Sequence, residues 1–245
     1  MKTIHINCDL GEGGEHDREL MPLISACNIA CGGHAGTLET MQHTVDLAME
    51  HGVEIGAHPS YPDKENFGRS PVKMNDEELK RSLVAQILSL KQITEAEGAV
   101  LTHVKPHGAL YNDAQKDKHV AGIIIESILE FGDELVLYAP ENSVISDLAE
   151  GKLKLRYEAF ADRNYNLDGS LVSRKEANAL ITKKEEVLKH LLAMILEGKI
   201  STPKGEKIGT CATTFCLHSD TPNSVEILQY LHAELGAKNV KISRG

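Results

Sequence analysis

Seven short runs rich in apolar and β-branched residues alternate with longer amphipathic stretches along this 245-residue chain, which leaves few folds open. The runs are Thr3–Cys8, Ser25–Cys31, Val53–Ala57, Val100–Val104, Leu135–Ala139, Tyr157–Ala161 and Gly209–Leu217. Leu38–His51, Asp76–Glu97 and Val120–Phe131 lie between them with helical spacing, and Lys184–Leu196 and Asn223–Leu235 follow the same pattern. Leu83, Ile87, Leu90 and Ile93 recur on one helical face, with Asn75 or Asp76 placed to cap its start. Gly52, Gly98, Gly132 and Gly236 follow predicted helices, where a left-handed terminating residue is common. Such alternation calls for a parallel sheet covered on both faces, either open and doubly wound or closed into a barrel. The length fits one domain over residues 1–245, and Leu153–Ala179 is its least regular segment.

Charge and cysteine usage narrow the partners. With 26 Lys+Arg against 36 Asp+Glu the formal charge is −10, which argues against nucleic acid or an anionic membrane as partner. No apolar run approaches the roughly 20 residues that a membrane span needs. The N-terminus enters a strand at once, without the apolar region of a secretory leader. Cys8, Cys27, Cys31, Cys211 and Cys216 are odd in number and lack a disulfide-framework spacing, so reduced thiols in the cytoplasm are expected. Cys27 and Cys31 lack a second ligand pair, and read as small buried residues rather than half of a zinc site.

Polar chemistry gathers where the strands end. The run before His103-Val104-Lys105-Pro106-His107-Gly108 reads as a buried strand, and strand alternation points His103, Lys105 and His107 the same way. Pro106 removes a backbone donor, so pairing is expected to stop near it, and Gly108 permits a sharp turn. Asp9, His34, His58, Asp162-Arg163 and His218-Ser219-Asp220 occupy the ends of five other strands. Loops at the carboxyl ends of parallel strands share one rim, and six ends supplying such groups favour a barrel over a crevice. Each group also suits a structural role: a turn for Asp9, a loop hydrogen bond for His34 or His58, a rim salt bridge for Asp162-Arg163, a helix cap for Asp220. Asp9, His34, His58 and His103 are candidate ligands for a divalent metal, though no tight two-ligand spacing is present.

These motifs are those of a known family. Asn7-Cys8-Asp9-Leu10-Gly11-Glu12, Asn28–Gly36, Gly56-Ala57-His58-Pro59, Phe67-Gly68-Arg69, His103–Asn112, Phe160–Tyr165, Asp168–Leu171 and Cys216–Pro222 together resemble the LamB/YcsF family almost end to end. The family often carries a bulky residue at position 33, Arg at 70 and Gly at 219, where this chain has Gly33, Ser70 and Ser219. The resemblance implies a seven-stranded parallel β/α barrel of the glycoside hydrolase/deacetylase type. It also implies ATP-dependent opening of 5-oxo-L-proline to L-glutamate in complex with two partner subunits. On that reading Asp9, His58, His103, Lys105 and His107 are the catalytic candidates, and Glu12, His34, Arg69, Tyr111, Asp162, Arg163 and His218 line the substrate site.

Nothing in the chain matches the G-x-x-x-x-G-K-[ST] phosphate loop, so ATP is expected to bind mainly on the partners. Lys105 and Arg163 would clamp charge on an activated lactam, while Asp9, His58, His103 or His107 deprotonates water. Lys105→Met is expected to abolish turnover with the fold intact. Two other readings are a stand-alone metal-dependent deacetylase or amidase of the same barrel class, and a lactam-binding subunit without catalysis.

Overall fold

The computed structural model describes residues Met1–Arg244. Its strands are β1 (Lys2–Leu10), β2 (Ala26–Ala30), β3 (Glu54–His58), β4 (Leu101–Val104), β5 (Val136–Ala139), β6 (Lys154–Phe160), β7 (Lys199–Ser201), β8 (Lys207–Gly209), β9 (Thr214–Cys216) and β10 (Val240–Ile242). The α-helices are α1 (Asp17–Leu20), α2 (Leu38–His51), α3 (Asp76–Ala96), α4 (Gly108–Ala114), α5 (Lys118–Leu129), α6 (Val144–Ala149), α7 (Lys184–Leu192) and α8 (Ser224–Ala237). Strands β1 to β6 pair in parallel in chain order, and β9 closes the ring by pairing with both β6 and β1. The result is a closed seven-stranded parallel β/α barrel. Strand β10 adds alongside Lys2–Ile4 of β1, outside the ring, and β7 with β8 forms a separate antiparallel hairpin. The predicted run Gly209–Leu217 thus divides between a hairpin strand and a barrel strand.

Local signals explain most helix ends. Thr37 and Thr40 form a reciprocal cap at α2, and Asn75 accepts from the Glu78 amide at α3. Gly52, Gly98 and Gly132 take positive φ of 64°, 73° and 94° after their helices. Gly236 does not: it lies inside α8, and Asn239 at φ 58° makes the reversal instead. Helix α7 continues as a π-helical turn over Ala193–Glu197.

Alternation along the strands sorts side chains into two layers. Ile4, Ile6, Cys8 and Leu10 of β1 are buried with Ile29, Ile55, Val104, Leu137 and Phe215 in the apolar core that includes the helix faces. The other parity faces the barrel axis and is mostly polar: His5, Asn7 and Asp9 of β1, Asn28 of β2, Glu54 and His58 of β3. His103 and Lys105 follow from β4 and its end, with Tyr138, Arg156, Glu158, Thr214 and Cys216 from β5, β6 and β9. These side chains bond to one another across the axis. The alternating strands therefore enclose a hydrogen-bonded polar column rather than the usual stack of branched aliphatics.

Candidate active site

At the carboxyl ends of the strands this column opens into two adjoining clusters. The first surrounds Lys105, whose ammonium sits 2.9 Å from Asp9 Oδ1, 3.0 Å from Glu158 Oε1, 3.1 Å from Cys216 Sγ and 3.3 Å from Asn7 Oδ1. Asn28 donates to both Asp9 Oδ1 at 2.7 Å and Asn7 Oδ1 at 2.8 Å, fixing the carboxylate from behind. Burial alone would raise the Asp9 carboxyl, yet His58 and Lys105 beside it hold it well below the usual carboxylate range. Burial opposes the charged form of Lys105, and the carboxylates of Asp9 and Glu158 with the Cys216 sulfur outweigh it, so this amine is held charged. A lysine cation locked between two buried carboxylates is a fixed positive charge.

His218 forms the rim of this cluster. Its Nδ1 lies 3.0 Å from Asp162 Oδ2, and its Nε2 points toward Asp9 Oδ2 at 3.9 Å. Asp162 also accepts from the His218 amide and the Thr221 hydroxyl, and those donors with the imidazole bring its carboxyl down to about 2 against burial. The ring of His218 stacks on Phe160, with centroids 5.3 Å apart. A carboxylate on one ring nitrogen sets the tautomer and leaves the other nitrogen free for proton transfer.

The second cluster contains Glu12, His34, His58 and His107, whose ligand atoms lie within 4.8 Å of one another. Glu12 Oε1 is 2.8 Å from His34 Nε2 and 3.4 Å from His107 Nδ1, and His107 Nδ1 is 2.9 Å from His58 Nε2. The His34 and His107 rings stack at 3.6 Å and 3°. Burial pulls His34 down and His107 further down, His58 adding to the effect in both. Asp9, Cys216 and His218 make a second set of ligand atoms equally close together, but the Lys105 ammonium already bonds two of them.

The other predicted residues occupy different ground. His103 and Lys105 do share the interior face, while His107 lies past the strand end, at the N-cap of α4. Strand β4 ends at Val104, close to Pro106 as expected, although the amides of Lys105 and His107 still bond the carbonyls of Ala57 and Pro59. Gly108 turns there with φ 53°, and a Cβ on it would lie 2.6 Å from the Gly68 carbonyl oxygen. His103 sits deeper, stacked on Tyr138 with Nε2 2.9 Å from Asn28 Oδ1, and burial holds it well below the ordinary histidine range. Only glycine fits opposite, since a Cβ on Gly56 would come within 2.0 Å of that ring. His103 therefore reaches the Lys105 cluster only through Asn28, and among the metal candidates only His34 and His58 share a set of ligand atoms.

Arg163 faces away from the mouth. Its guanidinium donates to the carbonyls of Val172 at 2.8 Å and Ala179 at 3.3 Å, strapping down the loop after β6. It forms no rim salt bridge with Asp162, whose oxygens are taken by His218 and Thr221. Asp220 does not cap α8, because its carboxylate lies between Arg69 and Arg174 on the rim. Tyr111 is buried beside Phe160, its ring centroid 5.7 Å away. Ser219 donates to the Asp9 carbonyl at 2.6 Å, and Gly33 packs where a Cβ would meet Gln86 and Ser60 at 2.3 and 2.4 Å. Of the three departures from the family pattern, Gly33 lies next to His34 and Ser219 bonds the backbone of Asp9, so both stand beside site residues.

The motifs contain Asn7 and Asn28 without marking them as site residues, and Glu158 lies in none of them. The signal was there in strand parity: Asn7 lies two residues before Asp9, and Glu158 is a charge inside a buried strand.

The LamB/YcsF family model matches residues 4–244. A 5-oxoprolinase subunit from Haemophilus influenzae (strain PittEE) is 41% identical over 244 residues, covering 99% of this chain and 100% of the relative. A crystal structure of a lactam utilization protein from Thermus thermophilus superposes with a TM-score of 0.92 at 36% identity, covering 100% of both chains. A family 4 carbohydrate esterase from Streptomyces lividans shares the fold alone, with a TM-score of 0.52 at 9% identity over 99% of this chain and 92% of that one. With the strand-end motifs gathered at one barrel mouth and a match along nearly its whole length, the chain belongs to the LamB/YcsF family.

Proposed function

We propose that this chain is the ring-opening subunit of an ATP-dependent 5-oxoprolinase, acting on 5-oxo-L-proline that partner subunits have activated by phosphorylating the lactam oxygen. The observation that carries this reading is the fixed cation Lys105, buried between Asp9 and Glu158 beneath the oriented imidazole of His218. The near-full-length likeness to a protein named as one subunit of 5-oxoprolinase supports the substrate, and that name supports a multi-subunit assembly. Among the described residues no helix is long and apolar enough to cross a membrane. The five unpaired thiols support a reducing compartment, the cytoplasm.

An amide carbon is a poor electrophile until its oxygen is phosphorylated. Water then adds to that carbon, with its proton taken by His218, which Asp162 orients. The C–N bond breaks as the same imidazolium returns a proton to the departing nitrogen, leaving an acyl phosphate. A second water releases phosphate and gives glutamate. Lys105 stabilises negative charge as it develops on oxygen, in a site that already excludes bulk water. Asp9, held ionised, keeps the ammonium in place rather than acting as the base. His58, His107, Glu12 and His34 form the facing wall, and Arg69 stands on the rim. Arg163 holds the loop rather than the substrate.

Reconstitution with the partner subunits tests the proposal: glutamate and ADP should form together from 5-oxoproline and require this chain. A second reading, a metal-dependent amidase, is favoured by the Glu12–His34–His58–His107 cluster alone. Amide hydrolysis by the isolated chain without ATP would select it. Full activity of complexes carrying Asp9, His58 and Lys105 substitutions would select the non-catalytic alternative.

A further inference from the structure

Two backbone carbonyls fix the protons of the imidazole cluster. His58 Nδ1 lies 2.7 Å from the Lys105 carbonyl, and His107 Nε2 lies 2.9 Å from the Phe67 carbonyl. A carbonyl oxygen only accepts, so both of those nitrogens carry hydrogen. In the neutral rings, His58 Nε2 and His107 Nδ1 are then both lone pairs, and they face each other at 2.9 Å. Glu12 Oε1 brings a third lone pair, 3.4 Å from His107 Nδ1 and 3.9 Å from His58 Nε2, with His34 Nε2 2.8 Å from it. Converging lone pairs in a buried place repel unless a positive centre stands among them. Ring stacking of His34 on His107 at 3.6 Å disfavours placing a positive charge on both rings.

We infer that Glu12, His34, His58 and His107 form a binding site for one divalent first-row transition metal ion, zinc-like in its preferences. Three imidazoles and one carboxylate are a donor set suited to zinc and its neighbours. Zn–N bonds are about 2.0–2.1 Å, so two ligand atoms on one ion can stand up to about 4 Å apart. The separations of 2.8, 2.9, 3.4 and 3.9 Å fall within that span.

Outer partners of the kind that metal-bound histidines use are already in place. His58 and His107 each donate their second nitrogen to a carbonyl. One of those carbonyls belongs to Phe67, a non-glycine residue at φ 55°, so the backbone takes an uncommon conformation where it aims at His107. Glu12 is the one member that is not fully buried, and it lies just after the end of β1. The Lys105 cluster beside it holds its own cation, so the two halves of the mouth are each arranged around one positive centre. The inference does not depend on which amide is the substrate, because the readout is metal binding.

The test uses the full chain, stripped with chelator and titrated with Co2+ and Zn2+. Expected are one equivalent of saturable binding and visible cobalt d–d bands that Zn2+ displaces. Glu12→Gln should weaken Co2+ binding by about tenfold to a hundredfold, with circular dichroism unchanged. His107→Gln should abolish the bands; if that variant fails to fold, Glu12→Gln decides alone. Absence of saturable binding by folded wild-type chain overturns the inference and leaves a proton shared between His58 and His107. Binding that is undiminished in Glu12→Gln overturns it equally.

Discussion

The two ends of the barrel are both polar, but only one of them is finished. At the amino-terminal end, Arg156 Nη1 lies 2.8 Å from His5 Nε2 and 2.9 Å from both Glu54 Oε2 and the Tyr138 hydroxyl, while His5 Nδ1 bonds Thr214 at 2.8 Å. Every charge there has its opposite, and Arg156 and His5 draw the Glu54 carboxyl down to about 2 although burial opposes it. At the carboxyl end, Glu158 faces Lys105 but accepts no well-aligned hydrogen bond at either oxygen, His34 Nδ1 has no partner, and two imidazole lone pairs face each other. A satisfied network closes a barrel; an unsatisfied one, buried at cost, waits for a substrate or an ion.

That contrast can be broken from either side. The largest combined effect, on activity and on stability together, is expected for Lys105→Met, which should lower glutamate formation by about 10²–10³-fold or more in the reconstituted complex. It should also destabilise the chain by about 3–5 kcal/mol, since it leaves Asp9 and Glu158 buried without their cation. The burial of Lys105 thus adds an expected cost in stability that the sequence expectation of an intact fold did not include. Near-normal turnover would remove Lys105 from the chemistry, and an unchanged urea midpoint would remove its structural part.

His218→Gln sharpens the contrast because it sits on the rim. Turnover should fall about 10²–10⁴-fold, while thermal unfolding stays close to wild type. A large loss of stability with retained turnover would make His218 a structural residue. The opposite signature belongs to the other end of the barrel. Arg156→Met should cost about 1–3 kcal/mol in unfolding by leaving the Glu54 carboxylate without its guanidinium, with turnover unaltered. A drop in turnover at matched folded fraction would erase the distinction between the two ends.

The smallest effect at neutral pH is one that grows only in acid. His190 on α7 is buried beside Tyr165, its Nε2 has no partner, and burial lowers its pKa from 6.5 to about 4. Between those values the unfolded chain binds a proton that the folded chain refuses, so stability is complete above pH 6.5 and declines as pH falls toward 4. The decline attributable to His190 is at most about 3 kcal/mol. His190→Leu should flatten that part of the acid dependence measured by urea unfolding at successive pH values; an unchanged slope refutes the assignment.

Hydrophobic periodicity, helix caps and turn residues are local signals, which is why the seven barrel strands and the long helices were legible from residue spacing alone. The polar strand ends were legible as one rim because parallel connectivity sends every such end the same way. Whether a side chain at that rim meets the substrate space or turns aside is not local. Arg163 shows this: adjacent to Asp162 in sequence, it is recruited by carbonyls nine and sixteen residues further along. His103 likewise follows the right parity but enters one layer too deep, behind Asn28.

The chain by itself thus determined the β/α alternation and the polar strand ends, which rest on spacing along the backbone, and its motifs carried the resemblance to the family. Only the tertiary structure divided that mouth into a lysine-centred half and an imidazole half, and brought Glu158 and Asn28 into it. Those relations depend on distances between residues more than a hundred positions apart in the chain, as between Lys105 and Cys216 at 111, which closure of the sheet alone sets.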